Sequence, residues 1–285
     1  MRRVTASLMA AGAMVAGLMV ATEPALAGAP SAPATAAATP AAAAVTSAPA
    51  VERWTMQRRF AREVVRFRDK DKGPYRIEHV TELQYRLKWV GAYKGPVSGF
   101  FNKATQRAVK KYQRRVHLKI TGIATHKTWA KLIPATVKAR PLIPRPCKVG
   151  TGWHICYDRY RHQVTLWKRG ELRNSWLVRG GDRGMATRTG NFRVYWRDKD
   201  HVSGIYGTPM PYSQFFSGGQ AFHGSAKMMD PWQDHSAGCV NMYIEDARQL
   251  WSMTHNVNLN VHIHGRWDRH AQAPSDAGTA RLDIF

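Results

Sequence analysis

The sequence is short of cysteine, of negative charge and of long apolar runs. Only three of the 285 residues are cysteines, which is too few for a disulfide-rich scaffold. Aspartate and glutamate number 19 against 43 lysines and arginines, so the formal net charge is +24 at pH 7. The apolar stretch at residues 6–21 is shorter than the roughly 20 residues that a membrane-spanning helix needs. The length leaves room for two modest domains, each with its own core.

The N-terminus has the three parts of a secretion signal. Arg2 and Arg3 form the positive region, residues 6–21 the apolar region, and residues 25–27 (Ala-Leu-Ala) the small-x-small cleavage site. We expect export and cleavage after residue 27, which places the protein outside the cytoplasm, bound to the cell wall or secreted. No cysteine follows the cleavage site, so we expect no lipid anchor there.

The positive charge indicates anionic partners. Removal of two arginines and one glutamate with the signal leaves a mature charge of about +23. An exported protein meets anionic wall polymers, acidic membrane surfaces and carboxylate-bearing peptides, so we expect no nucleic acid partner. The alternative is that the charge mainly confers solubility.

Three cysteines in an exported chain leave one unpaired. Cys147 and Cys156 are close in sequence and could form a disulfide in an oxidising compartment, leaving Cys239 as a free thiol. The connectivity is a hypothesis, because spacing alone does not determine it.

The free thiol lies 16 positions after a histidine, His223. A thiol is a useful nucleophile only as thiolate, and a nearby imidazole can take its proton. Gly238 leaves room beside the sulfur for a planar carbonyl, and its backbone N–H and that of Cys239 could support an oxyanion. The alternative is a small buried cysteine and an unrelated histidine.

Composition and periodicity divide the chain into seven predicted segments. They are a signal peptide at 1–27, an Ala/Pro/Thr-rich flexible tether at 28–51, a basic segment with amphipathic helical spacing at 52–77, a helical domain at 78–134, a Pro-rich linker at 135–148, a mostly-β domain at 149–265 and a polar tail at 266–285. The basic segment could lie on an anionic surface or pack against the next domain.

Segment 78–134 has three apolar helical faces and a short internal echo. Val97-Ser98-Gly99 before Thr105 matches Ile120-Thr121-Gly122 before Thr128, at an offset of 23 positions. The segment resembles the peptidoglycan-binding domain type 1 family. The matching positions are Leu83-Gln84, Leu87, Gly91, Tyr93, Gly95, Gly99, Thr105, Ala108-Val109, Tyr112-Gln113, Thr121-Gly122, Thr128-Trp129 and Leu132. The resemblance implies a three-helix fold that docks on cell-wall glycopeptide.

From residue 149 the periodicity changes to that of strands. We predict a hairpin with strands at 163–167 and 172–178, a strand at 191–196, an alternating strand at 257–263, and one main helix at 245–255. Strands with a single helix predict a curved sheet or small barrel. The His-rich end of the last strand lacks further ligands at useful spacing, so no metal site is expected.

This second segment resembles the L,D-transpeptidase catalytic (YkuD-type) family. The family signature is a His-Gly pair followed by Ser-x-Gly-Cys, an apolar residue and Asn or Arg. Its matches here are His223-Gly224 and Ser236-Ala237-Gly238-Cys239-Val240-Asn241, with Thr187-Arg188-Thr189-Gly190-Asn191-Phe192 and Met210-Pro211-Tyr212 upstream. Two positions depart from the family pattern, since Ala237 replaces a common His and Arg188 a common Pro.

The resemblance implies a multidomain protein whose β-sandwich-like, YkuD-type domain is an L,D-transpeptidase without a cofactor. Cys239 would attack the third-residue carbonyl of a peptidoglycan tetrapeptide stem, D-Ala would leave, and a neighbouring stem amine would form a 3→3 cross-link. His223 would carry the proton, oriented by a carboxylate or a backbone carbonyl. Gly238 would support the oxyanion, with Tyr212 as a weaker candidate. Substrate contacts are assigned to Tyr212, Gly224, Ser236 and Asn241.

The resemblance also implies acylation by carbapenem-type β-lactams. The stretch 203–222 could be a lid over the cleft or an ordinary surface loop. Alternatives of other classes are an L,D-carboxypeptidase or stem-peptide hydrolase, in which water takes the acyl group, and a non-catalytic wall-binding protein.

Overall fold

The computed structural model describes residues 58–73, 77–138, 143–181 and 184–266. The signal peptide, the tether, the start of the basic segment and all but the first residue of the tail lie outside the described residues. The helices are α1 (Val80–Trp89), α2 (Lys103–Arg115), α3 (His126–Lys138), α4 (Arg145–Val149) and α5 (Ile244–Thr254). The strands are β1 (Trp153–Asp158), β2 (Gln163–Lys168), β3 (Glu171–Leu177), β4 (Gly190–Arg193), β5 (Trp196–Asp198), β6 (Ser213–Ser217), β7 (Gln220–Gly224), β8 (Val240–Met242) and β9 (Leu259–His264).

Helices α1 to α3 enclose one apolar core and form the helical domain, residues 77–138. Leu83 and Leu87 of α1, Val109 of α2 and Trp129 of α3 are fully buried together. Asp71, which precedes the domain, accepts hydrogen bonds from the first backbone N–H groups of α1, at 2.7 and 2.9 Å. These N–H groups have no partner within a helix, so the carboxylate caps it.

The short internal repeat of this domain is explained by two buried glutamines, each of which binds one copy of the repeated loop. Gln84 Oε1 accepts from the backbone N–H of Ser98 and of Gly99 (2.9 and 3.1 Å), and its Nε2 donates to Thr105. Gln113 makes the same three bonds to the second copy, Thr121, Gly122 and Thr128. The repeated Ser/Thr-Gly loops therefore satisfy two glutamines that would be costly to bury without partners.

The helix predicted within the basic segment is wrong for residues 58–73. These residues form turns and isolated bridges, including Val65 paired with Ala124, and Phe60 and Arg68 have positive φ, which no α-helix accommodates. Phe60 and Val65 are buried in the core of the helical domain. The segment therefore packs against the helical domain, which is the second of the two alternatives given for it above.

The linker predicted at 135–148 is partly helical. Helix α3 continues through Pro134 to Lys138, and the burial of Thr136 and Val137 explains why it extends into the predicted linker. Helix α4 follows at Arg145–Val149. Cys147 of α4 and Cys156 of β1 form a disulfide.

Strands β1 to β9 form two facing sheets with α5 against them, the sandwich domain. One sheet has the order β3-β2-β1-β9-β4 and the other β5-β6-β7-β8. Their shared core includes Trp176 and Val261 from the first sheet and Phe222 and Val240 from the second. The predicted hairpin is present, with Arg169 and Gly170 both at positive φ, as a two-residue turn between twisted strands requires. The fold class predicted from the sequence is confirmed.

The strand predicted at 191–196 is two strands in different sheets. Strand β4 ends at Arg193 and pairs with β9, whereas β5 begins at Trp196 and pairs with β6. The chain crosses between the sheets there, and Val194 is buried where it does so. A single stretch of the chain therefore supplies one strand to each sheet.

A buried ion network joins the helical and sandwich domains. Glu82 of α1 accepts hydrogen bonds from Arg62 (2.6 and 3.1 Å) and Arg86 (2.7 Å), and all three side chains have no exposed surface. Both guanidinium groups also donate to the carbonyl of Ser175 in β3, at 2.6 and 2.9 Å. Burial alone would raise the pKa of Glu82, but the two guanidinium groups outweigh it and lower the pKa to about 2.

A histidine extends the network to α5. His79 pairs with Glu63 through Nδ1 and with Asp246 through Nε2 at 3.0 Å. Burial alone would lower the pKa of His79, but the two carboxylates raise it to about 10. The helical domain is therefore held against the sandwich by charge pairs as well as by apolar packing. Within the described ranges, each helix is too short or too polar to cross a membrane.

Candidate active site

The pairing of β7 with β8 places the predicted base and nucleophile on one face of the second sheet. The two strands run parallel, with Phe222 opposite Val240 and His223 opposite Asn241. Phe222 and Val240 face the sandwich core, so their neighbours face away from it, because side chains alternate along a strand. If the same register is extended back by one residue, Cys239 lies beside Ala221. Ala221 is two positions before His223 and therefore on the same face of β7.

The Cys239 thiol is half-buried, and its surroundings disfavour the charged thiolate. It packs against an apolar cluster of Met210, Phe215 and Ala221 and donates to the carbonyl of Gly219 at 3.7 Å. Burial raises the pKa of the thiol, and the backbone N–H of Ala221 offsets only part of that effect. Attack therefore needs a base that acts as the carbonyl arrives.

The imidazole of His223 is oriented by a backbone carbonyl. Its Nδ1 lies 2.8 Å from the oxygen of Gly224, and since a carbonyl can only accept, Nδ1 donates and Nε2 carries the lone pair. Burial lowers the pKa of His223 to about 4, although the Gly224 carbonyl and the Asn241 side chain favour the charged form. The ring is thus a neutral proton acceptor at neutral pH. Of the two orienting partners left open by the sequence, the structure has the carbonyl.

The thiol and the imidazole share no hydrogen bond within the described residues, although they occupy the same face of adjacent strands. Both groups are held neutral by burial. A neutral pair that exchanges a proton only during attack is consistent with this arrangement, because catalytic hydrogen bonds are often long before substrate binds.

Gly238 is required by the backbone on two grounds. Its φ of +108° lies in a region that side chains rarely adopt, and a Cβ there would lie 2.3 Å from Nε2 of Gln220. The backbone before the thiol can therefore approach the Gln220 side chain closely only because residue 238 is glycine.

The backbone N–H of Gly238 already has a partner, which differs from its predicted role. It donates to Oγ of Ser236 at 3.1 Å, and that hydroxyl donates to the carbonyl of Cys239 at 2.5 Å. Ser236 thus closes a tight turn around the nucleophile. Within the described residues no acceptor is found for the N–H of Cys239, so of the two predicted oxyanion donors it is the one not already engaged.

The other predicted contact residues lie around the same strands. Asn241 is the cross-strand neighbour of His223, and Gly224 donates its N–H to the carbonyl of Pro211 at 2.8 Å. The Tyr212 ring packs toward Trp251 of α5, with ring centres 6.2 Å apart. This contact gives the Tyr212 ring a packing partner in α5.

Sequence reasoning missed the residues that pack behind the nucleophile. Gln220 accepts from the N–H of Arg188 (2.9 Å), donates to the carbonyl of Ala186 (3.2 Å) and touches Gly238. Gly181 packs closely on Gly238, because a Cβ added to Gly181 would lie 2.6 Å from the Cα of Gly238. The pairs Gly180-Gly181 and Gly218-Gly219 were visible in the sequence as turn signals, but their partners lie far away along the chain.

The stretch 203–222 does not form one lid. Strands β6 and β7 contain residues 213–217 and 220–224, so the loop covers only 203–212. Ile205 and Tyr206 in that loop are exposed, with 85% and 59% of their surface accessible.

Three side chains of the interdomain network, His79, Glu82 and Asp246, lie close enough together to resemble a metal site. Their donor atoms are already paired with each other and with arginine, and His79 is held in its charged form. A charged imidazole has no lone pair for a metal, so we interpret the group as an ion network.

The architecture defines the class of protein first: a two-sheet sandwich that presents a thiol and an imidazole from adjacent strands, joined to a three-helix domain. Residues 152–263 match the family model of the L,D-transpeptidase catalytic domain (YkuD), and residues 76–132 match that of the peptidoglycan binding domain. Residues 152–263 are therefore similar to the L,D-transpeptidase catalytic domain, and the residues before them are similar to a peptidoglycan binding domain.

The chain is also similar to individual proteins of known sequence or structure. Spore cortex-lytic enzyme of Bacillus cereus is 42% identical over 59 residues, which cover 21% of this chain and 23% of that protein. The chain therefore spans about a quarter of the curated relative that it matches. The L,D-transpeptidase structure from Stackebrandtia nassauensis is 24% identical, with 67% of this chain and 93% of that chain covered and a TM-score of 0.46. The one from Xylanimonas cellulosilytica is 23% identical, with 70% and 97% covered and a TM-score of 0.41.

Proposed function

We propose that the protein is a cysteine-dependent L,D-transpeptidase that acts on peptidoglycan outside the cytoplasm. The observation that carries the proposal is the parallel pairing of β7 and β8, which brings Cys239 and His223 onto one face of the second sheet. Both residues lie within the range that matches the L,D-transpeptidase catalytic domain. The helical domain would hold the enzyme on the glycopeptide.

The proposed reaction proceeds through a thioester. Nε2 of His223 takes the thiol proton as Cys239 attacks the carbonyl of the third stem residue, a diamino acid. The peptide bond to D-Ala breaks, and the proton passes from the imidazolium to the leaving amine. A neighbouring stem amine then attacks the thioester carbonyl and gives a proton to His223. The C–S bond breaks, the new amide bond is the 3→3 cross-link, and the imidazolium returns the proton to the Cys239 thiolate.

The surroundings divide the remaining roles. The N–H of Cys239 would stabilise the oxyanion, Ser236 and Gly238 hold the turn that aims the thiol, and Asn241 and Gly224 hold the imidazole. Backbone donors aimed at the developing charge need no reorganisation during reaction. Contacts of Gly224, Asn241 and Tyr212 with substrate remain predictions, as do the domain boundaries.

The proposal is tested by mass spectrometry of the full chain with a carbapenem. We expect one covalent adduct, which is absent from Cys239→Ala and unaffected by Ser252→Ala, a matched removal of a hydroxyl on α5. The products from a disaccharide tetrapeptide then separate the outcomes. A cross-linked dimer supports transfer, a trimmed tripeptide indicates the carboxypeptidase, and an unmodified Cys239 with no product leaves only a wall-binding protein.

A further inference from the structure

Residues 225–239 form a connecting segment between the two reactive groups. The segment begins after His223-Gly224 at the end of β7 and ends at Cys239, directly before β8. The path of this segment therefore bears on where the thiol lies relative to the imidazole, because it connects the two strands that carry them.

The first half of the connecting segment is held by the helical domain. The hydroxyl of Tyr85 in α1 lies 2.9 and 3.0 Å from the two carboxylate oxygens of Asp230 and donates to that carboxylate. The Tyr85 ring also packs on Trp232, with centres 4.3 Å apart. Tyr85 is 2% exposed, although it belongs to a domain outside the catalytic family range.

A second contact from the helical domain supports the same half. Ile77, which precedes α1, packs with Met228 of the segment and Tyr243 of the sandwich in one buried cluster. The hydroxyl of Tyr243 donates to the carbonyl of Met229 at 2.6 Å.

The second half of the segment is held by the sandwich itself. Arg179 donates to the carbonyl of Gln233 at 3.0 Å, and the N–H of Ser236 donates to the carbonyl of Gly180 at 3.0 Å. The segment is therefore held by both domains, and the contacts from the helical domain fall in its first half.

Helix α1 is a rigid support for this contact. Glu82 and Arg86, on either side of Tyr85 in sequence, belong to the ion network and bind the sandwich through Arg62 and Ser175. The backbone of α1 at Tyr85 cannot shift away from Asp230 without disturbing these buried charges, so the domain junction fixes where the Tyr85 side chain begins.

We propose that Tyr85 is a positioning residue for catalysis, which acts through Asp230 and Trp232 to hold the connecting segment and thereby the Cys239 turn. In this role the peptidoglycan-binding domain is part of the catalytic machinery as well as an anchor. The inference rests on the proposed function for its link to catalysis.

The test compares Tyr85→Phe with Tyr93→Phe in the full chain. Tyr93 is a matched control, because its hydroxyl donates to the carbonyl of Pro96 at 2.8 Å within the helical domain and is remote in sequence from the segment. Misplacement of a reacting group by about 1 Å can cost a hundredfold in rate, so we expect Tyr85→Phe to slow acylation of Cys239 by a carbapenem about tenfold. Tyr93→Phe should leave it within about twofold.

Two further measurements separate positioning from general stability. Hydrogen exchange should show lost protection in residues 225–239 for Tyr85→Phe and none for Tyr93→Phe, while the thermal midpoints of the two variants stay alike. Asp230→Asn, which keeps the size of the side chain, should reproduce the slower acylation, and the double variant with Tyr85→Phe should be no slower than either single one.

Equal acylation rates and equal exchange in the two tyrosine variants would overturn the inference. A Tyr85→Phe rate that falls only in proportion to the unfolded fraction would do the same. If the unmodified protein forms no Cys239 adduct at all, the proposed function fails, and the exchange comparison still decides whether Tyr85 holds the segment.

Discussion

Replacement of Glu82 by glutamine tests whether the interdomain ion network holds the protein together. The carboxylate is fully buried and accepts three hydrogen bonds from two arginines. Glutamine has nearly the same shape but no charge, so the variant leaves two buried guanidinium groups beside each other with their main counter-charge removed.

The expected loss of stability can be worked in two ways. The pKa of Glu82 is lowered from 4.5 to about 2, and that difference of about 2.5 units at 1.36 kcal/mol per unit is about 3 kcal/mol. Removing one partner of a buried pair costs about 3–5 kcal/mol in general. The glutamine keeps an oxygen that can still accept, so we expect the lower end, about 3 kcal/mol, or a fall in Tm of about 6–12 °C.

The pH dependence of the same group has a defined sign. Since the folded pKa of Glu82 is below its unfolded value, its contribution is complete above about pH 4.5 and is lost as the pH falls toward about 2. The variant should therefore unfold with a weaker dependence on pH across that window than the unmodified protein.

The assay is urea unfolding at pH 7, followed by tryptophan fluorescence and circular dichroism. The matched control is Glu171→Gln, since Glu171 also pairs with two arginines, Arg59 and Arg173, but is half exposed. Exposed pairs contribute about 0–1 kcal/mol, so the control should change little. Glu82→Gln and Glu171→Gln variants that unfold within about 1 kcal/mol of each other would refute the reasoning from burial.

Two predictions concern the site itself. The rate of Cys239 acylation should stay level on acidification until the pH approaches about 4, because burial lowers the pKa of His223 and only the neutral ring accepts the thiol proton. A midpoint near the ordinary histidine value of roughly 6.5 would contradict the neutral pair. Gly238→Ala should lose about 1–3 kcal/mol of stability and most of the acylation, because the new Cβ meets Gln220 at a strained φ. The control is Gly152→Ala, which also has positive φ but open space around it, and equal losses in both would show that the contact with Gln220 is harmless.

Much of the helical domain could be predicted because its signals are local. The faces of α1, α2 and α3 are periodic, and the Ser/Thr-Gly loops repeat at a fixed offset. The helix predicted for the basic segment was wrong because the structure of residues 58–73 depends on contacts that are distant along the chain. Phe60 and Val65 have positions in the core that are set by Ala124 and the helices, and this tertiary packing overrides the helical spacing.

The site was predictable in composition but not in geometry. His223, Gly238 and Cys239 stood out because the order of residue types was informative by itself. The partners of the turn, Gln220 and Gly181, come from other strands and loops, so no local pattern indicated them. The neutral state of the thiol and imidazole depends on burial, which the sequence does not state.

The sequence by itself determined which side chains can do chemistry here, and the likeness to two known families followed from those side chains and their spacing. Only the tertiary structure decided that β7 and β8 run parallel, that the Gly238 N–H is already used, and that Tyr85 of one domain touches Asp230 of the other. The physical reason is that residue type and spacing act over a few positions of the chain. Burial, register and charge pairing are set by residues that meet only after folding.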